Sequence, residues 1–486
     1  KQTFEPLPTP FIAVGDSTSD ILGGRAAGAL TVAVLTGART PEARELFLKS
    51  QPDFVIEDMT GLPALLDEIE NLTTIQKLQF ERREVAEKLL RLWFAREMNL
   101  ATESVRLTPK AVSLNSFNGF YTSEGKEYFF KTHVEEHGVL NEYYNSALLN
   151  EAGYNVVRPL RQKNEKERQM VIYPVITLPV MFDLMRAQET GQELPAGITA
   201  EALLEAERAE CQHLLAIYSS TLQLEQDTSA APVHQLFWHR LTKRFYEFYA
   251  DKTFPLSSNN GNERVSFEQL LHARWIINGV EQEKTLGELV ALGQRVLDPK
   301  RAAATVVGHG DAHFGNVFIF SLFQAQAGSE GQAGGEAPAP CYLYFDPAFA
   351  GHHPPLLDIV KPLFHNVFAM WMYFPQEIAR DLHISVRVEN ERIVVEHDYQ
   401  LTPIRKAMLQ IKQEQLLKPL LAWLEEREAL PEGWQEILQL ALMCCPLLTV
   451  DLFDSAKRPP EIGWLGLSQA LQLGNGGIAA WKEKEQ

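Results

Sequence analysis

The sequence has few cysteines, no long apolar run and a deficit of positive charge. Its four cysteines among 486 residues lack the paired spacing of a metal site or a disulfide framework, so we expect reduced thiols and a cytoplasmic location. No stretch of about 20 apolar residues occurs, and we expect neither a membrane span nor a signal peptide. A net charge of −18 argues against a nucleic-acid-binding surface.

The remaining composition is that of a globular protein with more than one domain. Hydrophobic residues make up 45% and charged residues 22% of the chain, as in ordinary folded domains. A length of 486 residues predicts two or three domains. The acidic balance would suit a cationic substrate, although many cytosolic proteins are as acidic. The sequence leaves the oligomeric state open.

The stretch Val306–Phe320, VVGHGDAHFGNVFIF, is a polar loop between two apolar strand segments. It carries Asp311, His313 and Asn316. In phosphoryl transfer to an alcohol, an Asp orients the hydroxyl and accepts its proton, and an Asn shortly after it ligates magnesium through its amide oxygen. A second metal-binding carboxylate is needed on a following strand, and Asp346 supplies it at the end of the run YLYFD. The alternative interpretation is a polar surface hairpin with a capping Asp.

Two segments resemble one known family. HGDAHFGN resembles the catalytic loop of the aminoglycoside phosphotransferase family, and FDPAFAGHHPPLLDIVK resembles its metal-binding segment. The resemblance covers residues 103–470. It implies a protein-kinase-like fold, ATP or alternatively GTP as the donor, and Mg²⁺ held by Asn316 and Asp346. It also implies that Asp358 supports the catalytic loop by hydrogen bonding and that His313 belongs to the catalytic residues, bracing the loop or, as the alternative, acting directly.

The same resemblance assigns nucleotide contacts to the predicted N-lobe. Lys131, in the strand segment EYFFKTH, would pair with the α- and β-phosphates, with Glu142 of the next helix as its carboxylate partner. A turn at Asn118-Gly119 would cover the phosphates, and a second turn is predicted at 123–126. Lys131 could also be an exposed strand lysine. The rivals of Glu142 as its partner are Glu135, Glu136 and Glu151.

The N-terminal segment predicts a small parallel sheet. Apolar strands at Phe11–Val14, Thr31–Leu35 and Pro52–Ile56 alternate with helices, a pattern that favours ligands at the carboxyl ends of the strands. Asp16 and Asp20 follow the first strand, where two carboxylates can hold Mg²⁺. The alternative is Asp16 as a turn residue and helix cap.

This segment resembles the C-terminal half of a haloacid-dehalogenase-type (HAD-type) phosphatase, and GDSTSD matches the last acidic, magnesium-binding motif of that family. The nucleophilic Asp of the family lies in a DxD motif on an earlier strand, and nothing before Phe11 could be that strand. We therefore expect no phosphatase activity from the sequence as it stands. The chain begins with Lys1 rather than Met, and a HAD-type phosphatase is an alternative if the natural protein has the missing N-terminal half.

The rest of the chain is predicted to be mainly helical. Apolar residues at helical spacing among charges predict one long amphipathic helix over 71–99. Further helices are predicted over 232–249 and 267–277, among others, and again over 359–473. The segment 324–340, QAQAGSEGQAGGEAPAP, predicts a disordered insertion that leaves the flanking strands paired.

The predicted fold class is thus α/β plus α+β. A partial Rossmann-like HAD segment is followed by a two-lobed kinase-like domain with a β-rich N-lobe and a helical C-lobe. The predicted segments are the HAD-like segment 1–70, a connecting amphipathic helix 71–102, the N-lobe 103–178 and the C-lobe 179–486.

These features together predict ATP-dependent transfer of the γ-phosphoryl group to a hydroxyl of a small molecule, with Asp311 as the base and Mg²⁺ as the cofactor. The resemblance implies an aminoglycoside, sugar, amino alcohol or hydroxyacyl compound as the acceptor, and neither a nucleic acid nor a membrane is expected as a partner. A nucleotide-binding pseudoenzyme is the other alternative. The intact set of Asp311, Asn316 and Asp346 counts against it.

Overall fold

The computed structural model of the protein describes residues 11–69, 71–108, 116–133, 145–163, 165, 168–195, 198–257, 263–320 and 342–477. The chain divides into two compact units. Unit 1 consists of residues 1–140 and 158–177, and unit 2 consists of residues 141–157 and 178–486. No helix within the described ranges combines the length and the apolar character needed to cross a membrane.

Unit 1 begins with the three-stranded parallel sheet that the sequence predicted. Its strands and helices are β1 (Ile12–Gly15), α1 (Thr18–Ala26), β2 (Leu30–Val34), α2 (Pro41–Leu48), β3 (Phe54–Ile56) and α3 (Leu62–Ile69). The strand order is β1-β2-β3, with Ile12 opposite Leu30 and Val32 opposite Phe54. Every residue of the central strand β2 is buried, which explains why all but one are apolar. The exception, Thr31, donates a hydrogen bond to the carboxylate of Asp53.

The second sheet of unit 1 is antiparallel. Its strands are β4 (Ser104–Leu107), β5 (Ser116–Ser123), β6 (Lys126–His133), β7 (Arg161–Lys163) and β8 (Met170–Pro174), in the order β4-β5-β6-β8-β7. The turn predicted at Asn118-Gly119 is wrong, because β5 runs through both residues. The chain reverses instead at Glu124 and Gly125, whose φ angles of 52° and 70° suit a two-residue hairpin turn. The turn predicted at 123–126 is thereby confirmed.

Residues 71–99 form two helices rather than the single helix predicted. α4 (Leu72–Glu81) and α5 (Arg83–Glu97) are separated at Arg82, whose φ of −139° and ψ of 59° are not helical. The guanidinium of Arg82 donates a hydrogen bond to the backbone carbonyl of Asp53. This contact with another element is invisible to the apolar periodicity from which the helix was predicted.

One apolar core serves both sheets of unit 1. Phe94 of α5 contacts Tyr121 and Phe130, with ring centroids 4.9 and 5.2 Å apart. The same cluster of buried side chains includes Leu30 and Val32 from the parallel sheet, and α5 contacts both β2 and β4. The N-terminal segment is therefore packed into the same core as the antiparallel sheet.

Unit 2 contains most of the described helices and several small sheets. Its described α-helices are α6 (Ser146–Ala152), α7 (Met181–Thr190), α8 (Ala200–Thr221), α9 (Phe245–Tyr249), α10 (Phe267–His272), α11 (Leu286–Val296), α12 (Pro355–Asp358), α13 (Val360–His365), α14 (Met370–Tyr373), α15 (Pro375–Asp381), α16 (Pro403–Ile411), α17 (Lys418–Glu426), α18 (Trp434–Leu448) and α19 (Pro460–Gly474). Its described strands are β9 (Gln223–Asp227), β10 (Thr253–Pro255), β11 (Arg264–Ser266), β12 (Arg274–Ile277), β13 (Val280–Glu281), β14 (Ala302–Gly308), β15 (Val317–Ile319), β16 (Tyr342–Tyr344), β17 (Gly351–His353), β18 (Ile384–Glu389) and β19 (Arg392–His397). They pair in the orders β10-β11, β13-β12-β19-β18, β17-β14-β9 and β15-β16.

Strands occur in two regions of unit 2 that were predicted to be helical. Within 267–277 the helix ends at His272 and β12 follows. Within 359–473, β18 and β19 form an antiparallel hairpin. Its turn residues Asn390 and Glu391 have φ angles of 47° and 65°, as a tight two-residue turn requires. The alternating sequence ISVRVE and the β-branched run in RIVVEH carry the strand signal that the prediction overlooked.

The apolar core of unit 2 surrounds the strands that lead into and out of the loop after β14. Cys444 and Cys445 in α18 belong to this core. β15 and β16 pair antiparallel, with Val317 opposite Tyr344. The strands that flank 324–340 therefore pair as predicted, and the segment 324–340 itself lies outside the described residues.

Candidate active site

The loop that follows β14 is shaped by close backbone contacts. β14 ends in buried residues, Thr305 to Gly308. Gly310 has a φ of 76°, and a Cβ at this position would lie 2.4 Å from the carbonyl oxygen of Phe349. A side chain at this position would therefore meet both a strained φ angle and a backbone clash. Phe314–Asn316 then form a short 3-10 turn that leads into β15.

Asp358 supports the loop by hydrogen bonding, as the family resemblance implied. It is buried at the end of α12, and its Oδ1 accepts a hydrogen bond of 2.7 Å from the backbone N–H of Gly310. Its Oδ2 accepts a hydrogen bond from the hydroxyl of Tyr218. A Cβ on Gly308 would lie 2.3 Å from the carboxyl carbon of Asp358. The glycine thus allows the carboxylate to reach the loop.

Asp311 lies in the middle of the loop and has one carboxylate oxygen enclosed by the protein. Its side chain is 17% exposed, and the ammonium of Lys361 lies 3.3 Å from Oδ1. This contact is a charge pair without the alignment of a hydrogen bond. Apart from this ion pair, no contact from the described residues satisfies the buried Oδ1. Oδ2 is therefore the carboxylate oxygen that a ligand could reach.

The charges around Asp311 keep it ionised. Burial alone would raise the pKa of its carboxyl group. The positive charges nearby act in the opposite direction and lower the pKa of Asp311 to about 2. Lys361 has the largest of these lowering effects, followed by His313 and Arg240. The carboxyl group is therefore negatively charged at neutral pH.

Lys361 is itself buried and is held from a second side by His365. Its ammonium donates to Nε2 of His365 at 3.2 Å, and Nδ1 of the same ring lies 2.8 Å from the hydroxyl of Tyr373. Burial lowers the pKa of His365 well below its usual range, so the ring is neutral and can accept this bond. The sequence analysis missed Lys361. A lysine inside the largely apolar run Leu356–Phe364 is the signal that could have identified it.

His313 contacts the loop backbone with one ring nitrogen and faces Asp311 with the other. Nδ1 accepts a hydrogen bond of 3.0 Å from the N–H of Gly315, so Nε2 carries the proton in the neutral ring. Nε2 lies 3.9 Å from Oδ2 of Asp311. Burial lowers the pKa of His313, which favours the neutral form. The contact with Gly315 braces the loop, and a catalytic role for His313 stays a prediction.

The pairing of β15 with β16 brings the two predicted metal ligands, Asn316 before β15 and Asp346 after β16, to neighbouring backbone positions. The carbonyl of Asn316 accepts a hydrogen bond of 3.1 Å from the N–H of Phe345, and Asp346 is the next residue. Asp346 has a φ of 55°, in the left-handed region that is uncommon for residues other than glycine and recurs at functional sites.

The side chain of Asn316 is oriented by the loop. Its amide nitrogen donates to the carbonyl of Asp311 at 3.0 Å. No hydrogen bond to its Oδ1 is found within the part of the chain that the structure describes. An amide oxygen oriented in this way and the carboxylate of Asp346 are the oxygen ligands that Mg²⁺ prefers, so these residues fit a magnesium site.

Three of the nucleotide contacts predicted for unit 1 lie in its antiparallel sheet. Lys131 is in β6, opposite Asn118 of β5. The side chain of Asn118 accepts a hydrogen bond of 2.6 Å from the hydroxyl of Thr108. A Cβ on Gly119 would lie 2.3 Å from the carbonyl oxygen of Arg106, so close strand packing explains this glycine. Phosphate contacts by these three residues stay predictions.

The carboxylate partner predicted for Lys131 falls outside the described residues. Glu142 lies in the range 134–144, which the structure does not describe, together with Glu135 and Glu136. The remaining rival, Glu151, is exposed in α6. The pairing of Lys131 with Glu142 stays a prediction.

In the N-terminal segment, Asp20 is engaged by the backbone at the start of α1. Its carboxylate accepts hydrogen bonds from the N–H and the hydroxyl of Ser17, at 3.1 and 2.7 Å. These contacts complete a capping box in which Ser17, not Asp16, is the N-cap. Asp16 and Asp20 are both exposed at the carboxyl end of β1. No group of three or more His, Cys, Asp or Glu side chains suited to a metal occurs among the described residues, and Mg²⁺ at this position stays a prediction.

Comparisons with known proteins match both parts of the chain. Residues 3–62 match the HAD-hydrolase-like family, and no curated protein matches the sequence. Among solved structures, the chain is similar to a thermostable mutant of aminoglycoside phosphotransferase APH(4)-Ia, with 12% identity and a TM-score of 0.38 over 80% of this chain and 99% of the other. It is also similar to spectinomycin phosphotransferase APH(9)-Ia in complex with ADP and spectinomycin, with 14% identity and a TM-score of 0.30. That match covers 77% of this chain and 93% of the other. A third similar structure is Plasmodium vivax ethanolamine kinase, with 9% identity and a TM-score of 0.34. That match covers 90% of this chain and 95% of the other. The sequence of residues 3–62 is thus similar to HAD-like hydrolases, as the resemblance of this segment indicated.

Proposed function

We propose that the protein is an ATP-dependent phosphotransferase that moves the γ-phosphoryl group to a hydroxyl of a small molecule. The observation that carries this proposal is the state of Asp311, which is ionised and paired with Lys361 through its buried Oδ1. Oδ2 is the carboxylate oxygen that is left for a ligand. The hydroxyl of an acceptor would donate a hydrogen bond to Oδ2.

In the proposed reaction, the acceptor hydroxyl donates its hydrogen bond to Asp311 and its oxygen attacks the γ-phosphorus of ATP. The bond from the γ-phosphorus to the bridging oxygen breaks, and ADP leaves with that electron pair. The hydroxyl proton passes to the carboxylate of Asp311. The acceptor is released as a phosphate ester.

A carboxyl group with a pKa of about 2 is a weak base. A weak base is sufficient for phosphoryl transfer, because the transition state is loose and the proton of the hydroxyl is still largely bound to its oxygen when that state is reached. Asp311 therefore acts mainly by orienting the hydroxyl and accepts the proton late. Lys361 touches neither reactant in this scheme; it is a positioning residue that fixes Asp311 and keeps it ionised.

Asn316 and Asp346 are the residues that would hold magnesium, which when bound neutralises charge on the phosphates. The loop supports this assignment, because it directs the amide nitrogen of Asn316 into a hydrogen bond and leaves Oδ1 as the ligand atom. Lys131, paired with Glu142, is the proposed contact of the α- and β-phosphates, and Asn118 and Gly119 are the proposed residues of the phosphate-covering strand.

The test is the release of ADP from magnesium–ATP in the presence of sugars, amino alcohols, hydroxy acids and aminoglycosides. We expect one acceptor class to stimulate the wild type, and Asp311→Ala to lose the stimulation by about 100-fold or more. Asp381→Ala, which removes an exposed aspartate at the end of α15, should behave like the wild type.

Two other outcomes would replace the proposal. ATP binding without ADP release for any acceptor would favour the pseudoenzyme. Hydrolysis of phosphate esters that survives Asp311→Ala would favour the phosphatase.

A further inference from the structure

Helix α8 carries two buried glutamates that the proposed reaction does not use. Glu207 and Glu210 are 2% and 4% exposed, and their spacing places them on the same side of the helix. A carboxylate enclosed in an apolar core is costly unless charges or hydrogen bonds compensate it. The contacts of the two side chains therefore indicate what they hold in place.

Both glutamates bind strand β16 through its tyrosines. The hydroxyl of Tyr342 donates a hydrogen bond of 2.6 Å to Oε2 of Glu207, and that of Tyr344 donates one of 2.8 Å to Oε1 of Glu210. Burial raises the pKa of both tyrosines well above its usual range, which keeps their hydroxyls protonated as donors. Alternate residues of a strand point to the same face, so one face of β16 is attached to α8 at both ends of the strand.

The second oxygen of each carboxylate also has a partner. The buried ammonium of Lys412, at the start of a π-helical turn, donates to Oε1 of Glu207. Nδ1 of His213 lies 3.5 Å from Oε2 of Glu210, and Nε2 of the same ring lies 3.0 Å from the carbonyl oxygen of Gly153. Both carboxylates are therefore fixed from two sides, and they fix the tyrosine hydroxyls that donate to them.

Strand β16 leads directly to the predicted metal ligands. Asp346 follows the strand by two residues, and the N–H of Phe345 donates to the carbonyl of Asn316 at 3.1 Å. The ammonium of Lys412 also lies 5.6 Å from the centre of the Phe314 ring, and Phe314 opens the 3-10 turn that contains Asn316. The contacts of the two glutamates thus extend to both segments that carry a predicted ligand.

We propose that Glu207 and Glu210 are positioning residues for a divalent cation: by fixing β16 through its two tyrosines, they set the carboxylate of Asp346 beside the amide of Asn316. This inference rests on the magnesium site of the proposed phosphotransferase. The backbone of Asp346 supports it, because its φ of 55° is unfavourable for an aspartate and persists only where the surrounding structure enforces it. The anchored strand just before Asp346 provides that constraint.

Packing alone does not account for these buried polar side chains. Apolar residues of similar volume can often replace a buried ion pair with no loss of stability. Directional hydrogen bonds, unlike apolar contacts, also fix the position of a strand along its own axis. Outer partners that orient metal ligands are needed for tight binding, and their loss typically weakens metal binding by about 10–100-fold.

The test measures how Mg²⁺ changes the binding of ADP, and it requires neither an acceptor nor turnover. Mg²⁺ is titrated into protein that is partly saturated with ADP, and equilibrium dialysis measures the bound ADP. The midpoint of the rise in bound ADP reports the affinity of the site for the cation. In Tyr342→Phe/Tyr344→Phe, which removes only the two hydroxyls, we expect the midpoint to move to an about tenfold higher Mg²⁺ concentration. Kd for ADP without Mg²⁺ should stay within about twofold of the wild type.

Matched variants separate positioning from a general loss of stability. Tyr249→Phe removes another buried tyrosine hydroxyl, which donates a 2.8 Å hydrogen bond to the carbonyl of Leu447 in α18, and it should leave the midpoint unchanged. Glu210→Leu should raise the midpoint, whereas Glu210→Gln keeps an oxygen acceptor for Tyr344 and should retain most of the affinity for Mg²⁺. The melting temperature of each variant without ligand reports whether it is folded. Tyr344→Phe alone, with a smaller shift, replaces the double variant if the latter does not fold.

The outcomes distinguish this inference from the proposed function. An unchanged midpoint in the tyrosine variants of β16, or an equal shift in Tyr249→Phe, would overturn the inference and leave the phosphotransferase function standing. A wild type whose binding of ADP does not respond to Mg²⁺ would also overturn it. If the expected shifts occur but no acceptor releases ADP from magnesium–ATP, the positioning role stands and the transfer reaction fails.

Discussion

Aspartates follow the ends of strands in two regions of the protein, and their burial and their contacts differ. In unit 1, Asp16 and Asp20 are exposed, and the carboxylate of Asp20 is satisfied by the N–H and hydroxyl of Ser17. In unit 2, Asp311 is largely enclosed, and its buried Oδ1 forms an ion pair with Lys361. Local helix capping accounts for the carboxylate of Asp20, whereas Asp311 depends on a charge from another element.

This difference shows why an acidic motif alone does not identify a working site. GDSTSD and HGDAHFGN both match motifs of families that handle phosphate. An exposed carboxylate that caps a helix needs only its own neighbours. A buried carboxylate needs a compensating charge from another element, and Lys361 of α13 provides it for Asp311.

The largest expected effect is the loss of the charge of Asp311. Asp311→Asn keeps the shape of the side chain but cannot take the hydroxyl proton, and we expect kcat for acceptor phosphorylation to fall about 10²–10⁴-fold. The double variant Asp16→Asn/Asp20→Asn is the matched control and should stay close to the wild type. Steady-state ADP release measures both. A similar loss in the two proteins would erase the distinction between the two regions.

The next effect concerns Lys361. Its charge is the largest influence that lowers the pKa of Asp311, and burial acts in the opposite direction. In Lys361→Met we therefore expect that pKa to rise, so that the acid limb of the kcat profile moves up towards neutral pH and kcat at pH 7 falls by about tenfold. In the wild type, the protonation of Asp311 should not affect kcat above about pH 4, because the carboxyl group is already ionised there. Lys418→Met, at an exposed position at the start of α17, is the control. An unchanged acid limb in Lys361→Met would contradict the assigned role.

Mild acid should destabilise unit 2. Burial lowers the pKa of His313, His353 and His365, and lowers that of His234 from 6.5 to about 4. Because the unfolded chain binds these protons near pH 6.5, the stabilisation is complete above that pH and is lost as the pH falls through the folded values. For His234 alone the loss by pH 4 is on the order of 3 kcal/mol. Melting temperatures between pH 7 and pH 4.5 check this, and His234→Leu should flatten the curve. A wild-type melting temperature that is constant over this range would be inconsistent with buried, neutral histidines.

The smallest effect is expected at Asp20. Asp20→Ala removes one half of the capping box of α1, and we expect a loss of about 0.5–1 kcal/mol in the free energy of unfolding with no change in phosphoryl transfer. Asp67→Ala, an exposed carboxylate of α3, should cost less. Denaturant unfolding and ADP release are the two readouts. Loss of catalysis in Asp20→Ala at unchanged stability would show that Asp20 does more than cap a helix.

The sequence predicted the parts of both regions that depend on residues close together in the chain. The parallel strands β1 to β3 and the pairing of β15 with β16 follow from apolar runs and are confirmed. The hydrogen bond from the loop to Asp358 followed from the family resemblance and is also present. The magnesium and nucleotide roles of Asn316, Asp346 and Lys131 stay predictions.

The features that sequence reasoning missed depend on contacts through space. Lys361 comes to Asp311 from a separate element, and no periodicity reports such an approach. Gly119 was interpreted as a turn residue, whereas the structure requires it for close contact with the backbone of Arg106. The helix predicted over 71–99 is interrupted at Arg82, whose guanidinium donates a hydrogen bond to the backbone carbonyl of Asp53, and apolar spacing cannot reveal such a contact.

Phosphorus nuclear magnetic resonance of magnesium–ATP with the protein and an acceptor tests the central claim most directly, because it separates a phosphate ester from free phosphate. The account predicts an ester signal with the wild type and with Asp16→Asn/Asp20→Asn, and none with Asp311→Asn. Free phosphate without ester, formed by the wild type and by Asp311→Asn but not by Asp16→Asn/Asp20→Asn, would contradict the account and place the chemistry in the N-terminal segment.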